Sequence, residues 1–172
     1  MNSYTGLTRL AFKLFKISIS ILFVAWLAKF RFIPGGDNLF RLASAGVALS
    51  LILPFTNLKI NANTLNPNLR YMIILNCCAL IILYLGMMVK VSHLVDDPFV
   101  KDILLDIIGI PLMLIAILYS FTHYKDLLHT SELIKTYIVQ FIALPWLLFL
   151  FSYLFYLVYS MTLIRAIMDE AS

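Results

Sequence analysis

Tyr71–Val89, YMIILNCCALIILYLGMMV, decides the fold class. Nineteen residues pass without a charge, Asn76 is the one strongly polar side chain, and Lys90 closes the run. At 1.5 Å per residue a helix of that length covers about 28 Å, close to the ~30 Å of hydrocarbon in a bilayer. The rest of the chain has the same character. Of 172 residues, 62% are apolar and only 13% charged, whereas soluble domains carry about 25% charged residues. So few charges cannot cover the apolar surface of a soluble domain this size. The composition predicts an all-α, polytopic helical membrane protein in a single domain, with the lipid bilayer as its solvent.

Four further apolar segments flank this one, giving expected helices at about 7–32, 39–55, 71–89, 98–122 and 136–164, or four to five membrane helices. The first begins basic and amphipathic. Arg9, Lys13 and Lys16 share a helical face that Ser20 continues, which reads as membrane-surface anchoring. A cleaved signal peptide is the rival reading, but no A-x-A site follows the apolar core, so an uncleaved helix is expected. The stretch FIPGGDN (32–38) is a turn. The second segment carries ASAGVALS (43–50). Ser44 and Ala48, like Gly46 and Ser50, lie four apart, a spacing that lets helix backbones approach closely. Ser44, Gly46, Ala48 and Ser50 are therefore expected to pack helices together, within the chain or between copies in a homo-oligomer. Residues 56–70 hold five asparagines and a proline and read as an irregular connection. The last segment is free of charge over about 43 Å of helix and must tilt, kink or protrude, with Pro145 as the kink. Its aromatics fall on two faces, Trp146, Phe149, Tyr153 and Tyr156 on one and Phe151, Phe155 and Tyr159 on the other; packing against neighbouring helices is the expected use.

The segment before residue 111 concentrates acid. Asp97-Pro98 reads as an N-cap followed by proline at the first helical position, with Lys101 close enough to pair with Asp97. Asp102 suits the early turns, where the helix dipole favours negative charge. Asp106 stands immediately before the uncharged run Ile107–Thr122, which covers only about 24 Å. It is expected at the lip of the hydrocarbon, where an ionisable group marks an ion or switch site by default, with Gly109 and Pro111 able to bend the helix beyond it. The competing expectation is a plain helix start with one snorkelled carboxylate.

Several classes of function find no support in the motifs. His93, Asp96 and Asp97 lack a diagnostic metal geometry. His123, Asp126 and His129 recur at steps of three, which points the outer two about 120° apart, and the segment with Lys125 reads as a solvated loop facing a partner. The adjacent Cys77 and Cys78 cannot form an ordinary disulfide and read as apolar packing. There is no serine–histidine–acid set, no H-E-x-x-H and no phosphate-cradling loop, so a non-enzymatic protein without cofactors is expected. The net charge of +4 is spread over the ends of apolar runs, which gives no reason to expect nucleic-acid binding.

The basic N-terminal flank predicts a cytoplasmic N-terminus. With five spans, seven of the thirteen Lys and Arg residues fall on that side. If the first helix instead lies on the surface, four spans remain and nine share the N-terminal side. The second arrangement has the stronger bias, and the two differ in where they place the C-terminus.

In size and layout the chain resembles the small multi-span membrane subunit of the Kiwa bacterial anti-phage system. That resemblance implies a homo-oligomer in the bacterial inner membrane that senses phage attack and works with a cytosolic effector protein. Membrane proteins of bacterial immunity and exclusion share the general layout. Two expectations of function follow. One is a non-enzymatic membrane subunit that self-assembles and serves as sensor or anchor for a cytosolic partner. The other is a channel or transporter component with an ion or proton site at Asp106.

Overall fold

The computed structural model describes residues 6–31, 33–60, 66–91, 99, 102–129 and 138–170. Every regular element among them is helical: α1 (Gly6–Phe30), α2 (Gly36–Ile60), α3 (Pro67–Val91), a π-helical stretch π1 (Ile103–Gly109) running into α4 (Ile110–Thr122), the short α5 (Tyr124–Leu128), and a second π-helical stretch π2 (Val139–Ala143) running into α6 (Leu144–Glu170). By length and composition, four helices among the described residues can cross a membrane. They are Leu10–Phe30, Pro67–Val91, Ile103–Thr122 and Leu144–Thr162. The chain is thus a helical membrane protein.

α1 and α2 form an antiparallel hairpin. Three pairs set the register: Ser18 against Gly46, Trp26 edge-on to Phe40 with centroids 5.1 Å apart, and Lys29 paired with Asp37. α1 therefore runs the length of its neighbour instead of lying across the bundle. The outward face of α1 is apolar: Ile17, Phe23, Val24 and Leu27 are each more than half exposed, as expected of a helix solvated by lipid.

α3 is the central helix, packing against α2, π1, α4 and α6. Its mid-section residues Leu80, Leu83, Tyr84 and Met87 join Phe15, Leu22, Trp26, Phe40, Val47, Leu51, Leu105 and Phe149 in the main core. A smaller cluster at the other end gathers Leu69, Met72, Ile73 and Cys77 with Ile138 and Ile142. α4 and α6 lean on α3, and their outer faces, from Ile107 through Leu114 and Leu118 to Phe121 and from Leu147 through Leu154 to Met161, are exposed.

Several helix boundaries differ from expectation, α6 among them, which runs to Glu170 rather than 164. α2 starts at Gly36 rather than 39 and continues through Pro54 to Ile60 rather than stopping at 55. Pro54 removes one helical hydrogen bond and costs about 3 kcal/mol in a helix interior, but once a helix is nucleated the residues beyond add their own bonds at little cost each. α3 starts at Pro67 rather than Tyr71. Asn66 caps it, its side-chain Oδ1 accepting from the Asn68 N–H at 3.2 Å, and Pro67 takes the first helical position, where a missing N–H costs nothing. The Asp97-Pro98 cap, the Lys101 pairing, and His93 and Asp96 lie outside the described residues.

Both π-helical stretches end one residue before an α-helix whose second residue is proline. The N–H of Ile110 reaches the carbonyl of Leu105, and that of Leu144 reaches Val139, each five residues back. A proline has no N–H and crowds the carbonyl four residues before it. Widening the preceding turn relieves that crowding, so Pro111 and Pro145 account for both stretches.

Candidate functional site: a lysine clamp on a π-helical segment

Asp106 does sit at the end of the bundle, but it is not a free carboxylate. The Lys90 Nζ, at the end of α3, lies 2.6 Å from Asp106 Oδ2 and 3.0 Å from Asp102 Oδ1. One lysine holds two carboxylates four residues apart, and the trio keeps a formal charge of −1. Lys90 also stands 6.0 Å from the ring of Tyr156 on α6, so the cluster joins three helices.

The backbone beneath the clamp is tightly packed. A Cβ added at Gly86 of α3 would lie 2.9 Å from the Leu105 nitrogen and 3.0 Å from its Cα. Only glycine lets π1 approach α3 this closely. Gly109, expected to be a bending point, is a packing point: a Cβ there would meet Leu83 Cδ2 at 2.8 Å. Pro111 follows as the second residue of α4. Asp106, Gly109 and Pro111 thus belong to one unit, the π-helical stretch clamped from above by Lys90 and seated on Gly86 and Leu83.

A second ion pair lies at the same end. Lys29 is buried, its Nζ 2.5 Å from Asp37 Oδ1. It also donates to the Val91 carbonyl at 2.8 Å and lies 5.3 Å from the Tyr159 ring. Phe30 meets Phe155 and Tyr159 edge-on, and Trp26 stacks on Phe155. The aromatic faces of the last segment therefore divide by use. Phe149, Tyr153 and Tyr156 pack into the core, Phe155 and Tyr159 close against α1, and Phe151 points outward.

At the opposite end α3 is tied to α4 again. Asn76, 2% exposed, donates from Nδ2 to the Ser120 hydroxyl at 2.8 Å and to its own Met72 carbonyl at 2.8 Å. The Trp146 indole of α6 donates to Asn76 Oδ1 at 2.8 Å. Asn68 donates to Asp126 Oδ2 at 3.2 Å. Tyr84 adds a link at mid-height, donating to the Pro145 carbonyl at 3.1 Å.

The other residues singled out in the sequence fall as follows. Ser44, Ala48 and Ser50 are buried within the chain, and Gly46 faces Ser18 so closely that a Cβ would fall on its hydroxyl. The small stripe of α2 thus packs inside this chain, the first of the two uses expected of it. Lys13 and Lys16 are exposed on α1; Arg9 is helical, its side chain outside the described residues. The segment expected to be a loop begins with a short helix, α5. His123 stacks on Tyr119 with centroids 4.3 Å apart, while Lys125 and His129 are exposed and Asp126 is held by Asn68. His123, Asp126 and His129 do not converge, and no group of three potential metal ligands occurs among the described residues. Sequence reasoning missed Lys90, Gly86 and the Lys29–Asp37 pair. Their signal was present: a connection of about a dozen residues between antiparallel helices brings Lys90 opposite Asp102 and Asp106.

No family model, no curated protein and no solved structure matches this chain.

Proposed function

We propose that this protein is a non-enzymatic integral membrane subunit of the bacterial inner membrane, with its N-terminus in the cytoplasm, that self-assembles and acts as a sensor or anchor for a cytosolic partner. One observation carries the reading: α3 and the π1–α4 unit are bonded to each other at both ends. Lys90 holds Asp102 and Asp106 at one end, and Asn76 and Asn68 hold Ser120 and Asp126 at the other. Lys90 and Asn68 are about 33 Å apart along α3 at 1.5 Å per residue. A disturbance of the clamp at one membrane face is thereby coupled to the segment 123–129 at the other. Coupling requires an element with two discrete arrangements, and a π-helical turn that can tighten to α supplies one. The basic flank Arg9, Lys13 and Lys16 supports the cytoplasmic placement of the N-terminus. It puts Lys125 and His129 on the cytosolic side, where a partner would dock. The anti-phage setting is a proposal resting on the resemblance in layout.

The test is a photo-crosslinking residue at Lys125 or His129, in cells, with and without Lys90→Met. The reading expects one specific protein adduct whose yield changes when the clamp is removed. Lipid adducts alone, or an unchanged protein adduct in the Lys90→Met background, overturn it.

A second reading has its own observation. The clamp is one cation short, with Asp102 and Asp106 side chains 54% and 36% exposed, so it presents net negative charge at the mouth of the bundle. That favours a cation or proton site in a channel or transporter component. Flux into liposomes that Asp106→Asn abolishes would support it over the sensor reading.

A further inference from the structure

Four of the described lysines, Lys13, Lys16, Lys29 and Lys90, divide into two classes, and helix direction explains the division. Cα–Cβ bonds tilt towards a helix N-terminus. A lysine near the C-terminal end of a membrane helix therefore leans back into the hydrocarbon and requires partners there. Lys29 and Lys90 stand at the C-terminal ends of α1 and α3, and both have them: Asp37 and the Val91 carbonyl for one, Asp102 and Asp106 for the other. A lysine near the N-terminal end leans outward and reaches the headgroups. Lys13 and Lys16 stand in the N-terminal half of α1, both exposed.

Among the described residues neither lysine meets a carboxylate. Lys16 has its Nζ 4.4 Å from the ring of Phe12, one turn towards the N-terminus, which is the direction the tilt predicts. Two like charges three apart on one helix repel unless an anion lies between them. Beneath them the outward stripe is Ile17, Val24 and Leu27, each more than half exposed. Ser20 interrupts it, but its hydroxyl donates to the Lys16 carbonyl at 3.1 Å and needs no other partner. Arg31, also exposed, ends the stripe, about 27 Å from Lys13 along the helix.

We propose that the Lys13–Lys16 face of α1 binds the phosphate headgroup of an anionic phospholipid, whose acyl chains lie along Ile17, Val24 and Leu27. The negative phosphate lies between the two ammonium groups and relieves their repulsion, and the outward residues Ile17, Val24 and Leu27 below are apolar. At the other end of the bundle Lys29 and Lys90 are already neutralised by carboxylates.

The test uses the full chain in vesicles of equal parts phosphatidylglycerol and phosphatidylcholine, with bound lipid read by native mass spectrometry. The wild type retains phosphatidylglycerol in preference. Each change of Lys13 or Lys16 to Gln lowers that preference about fivefold, the effect of one surface cation on anionic lipid. Lys13→Arg/Lys16→Arg keeps it, and Arg31→Gln leaves it unchanged. Equal retention by Lys13→Gln/Lys16→Gln and wild type overturns the proposal, as does an equal loss in Arg31→Gln. Should the double variant lose its helical circular dichroism, a salt titration of the wild type decides. Rising ionic strength must erode the preference, and a preference indifferent to salt overturns the assignment.

Discussion

Replacing Lys90 by methionine removes the ammonium while keeping an unbranched apolar stem. The geometry sets the cost. Removing one partner of a fully buried ion pair costs about 3–5 kcal/mol, and breaking an exposed pair costs less than about 1 kcal/mol. The Lys90 side chain is 19% exposed, and its carboxylates are more open. The clamp lies between the two cases, and two anions lose their partner at once. A loss of about 2 kcal/mol follows from those bounds, or roughly 6 °C in Tm for a chain of this length. Asp106→Asn should cost about half as much, because Lys90 keeps Asp102 and the amide oxygen still accepts. In a double-mutant cycle the Lys90→Met and Asp106→Asn effects should fall short of additive by about 1 kcal/mol. With the partly exposed Cys78 replaced by alanine, Cys77 supplies the assay, since it is buried in the core and reacts with a thiol-sensitive dye only as the bundle opens. A Lys90→Met protein as stable as wild type, or strict additivity in the cycle, would refute the clamp as the tie between α3 and π1.

Three other perturbations read the rest of the packing by the same assay. Gly86→Ala should destabilise by about 1–3 kcal/mol, because the new methyl meets the Leu105 backbone, which cannot rotate away. Gly46→Ala should cost less, because its obstacle is a side-chain hydroxyl on Ser18, and removing that hydroxyl in Ser18→Ala should recover part of the loss. Asn76→Leu leaves the Trp146 indole and the Ser120 hydroxyl without their shared partner; a loss of about 1–2 kcal/mol is expected, with a change in tryptophan emission. A larger cost for Gly46→Ala than for Gly86→Ala would contradict the packing at π1.

Hydrophobic length made the helical membrane class legible, because an uncharged run of nineteen residues has few other solvents. It did not give the ends of α2 and α3. Asparagine-rich sequence reads as turn, yet Asn66 is used as a helix cap and α2 runs five residues past Phe55. The stripe of small residues was correctly seen as a close-packing surface, but periodicity cannot say whether the neighbour is another helix of the same chain. Here Ser18 of α1 answers that for Gly46. The position of Asp106 at the end of the bundle fits the charge-free run after it. Its partner was not legible, because Lys90 read equally well as a lone residue snorkelling at the end of its own helix.

That last ambiguity could have been narrowed from chain direction alone. A lysine at the C-terminal end of a helix has its stem directed back towards the middle of the membrane, so Lys90 and Lys29 were poorly placed to reach water and needed anions from the next element. Both find them just across the following connection, Lys29 in Asp37 and Lys90 in Asp102 and Asp106. Lys13 and Lys16, in the N-terminal half of α1, had no such need. In a chain with so few charges, which end of a helix a lysine occupies separates the cations that hold the bundle together from those left for the lipid.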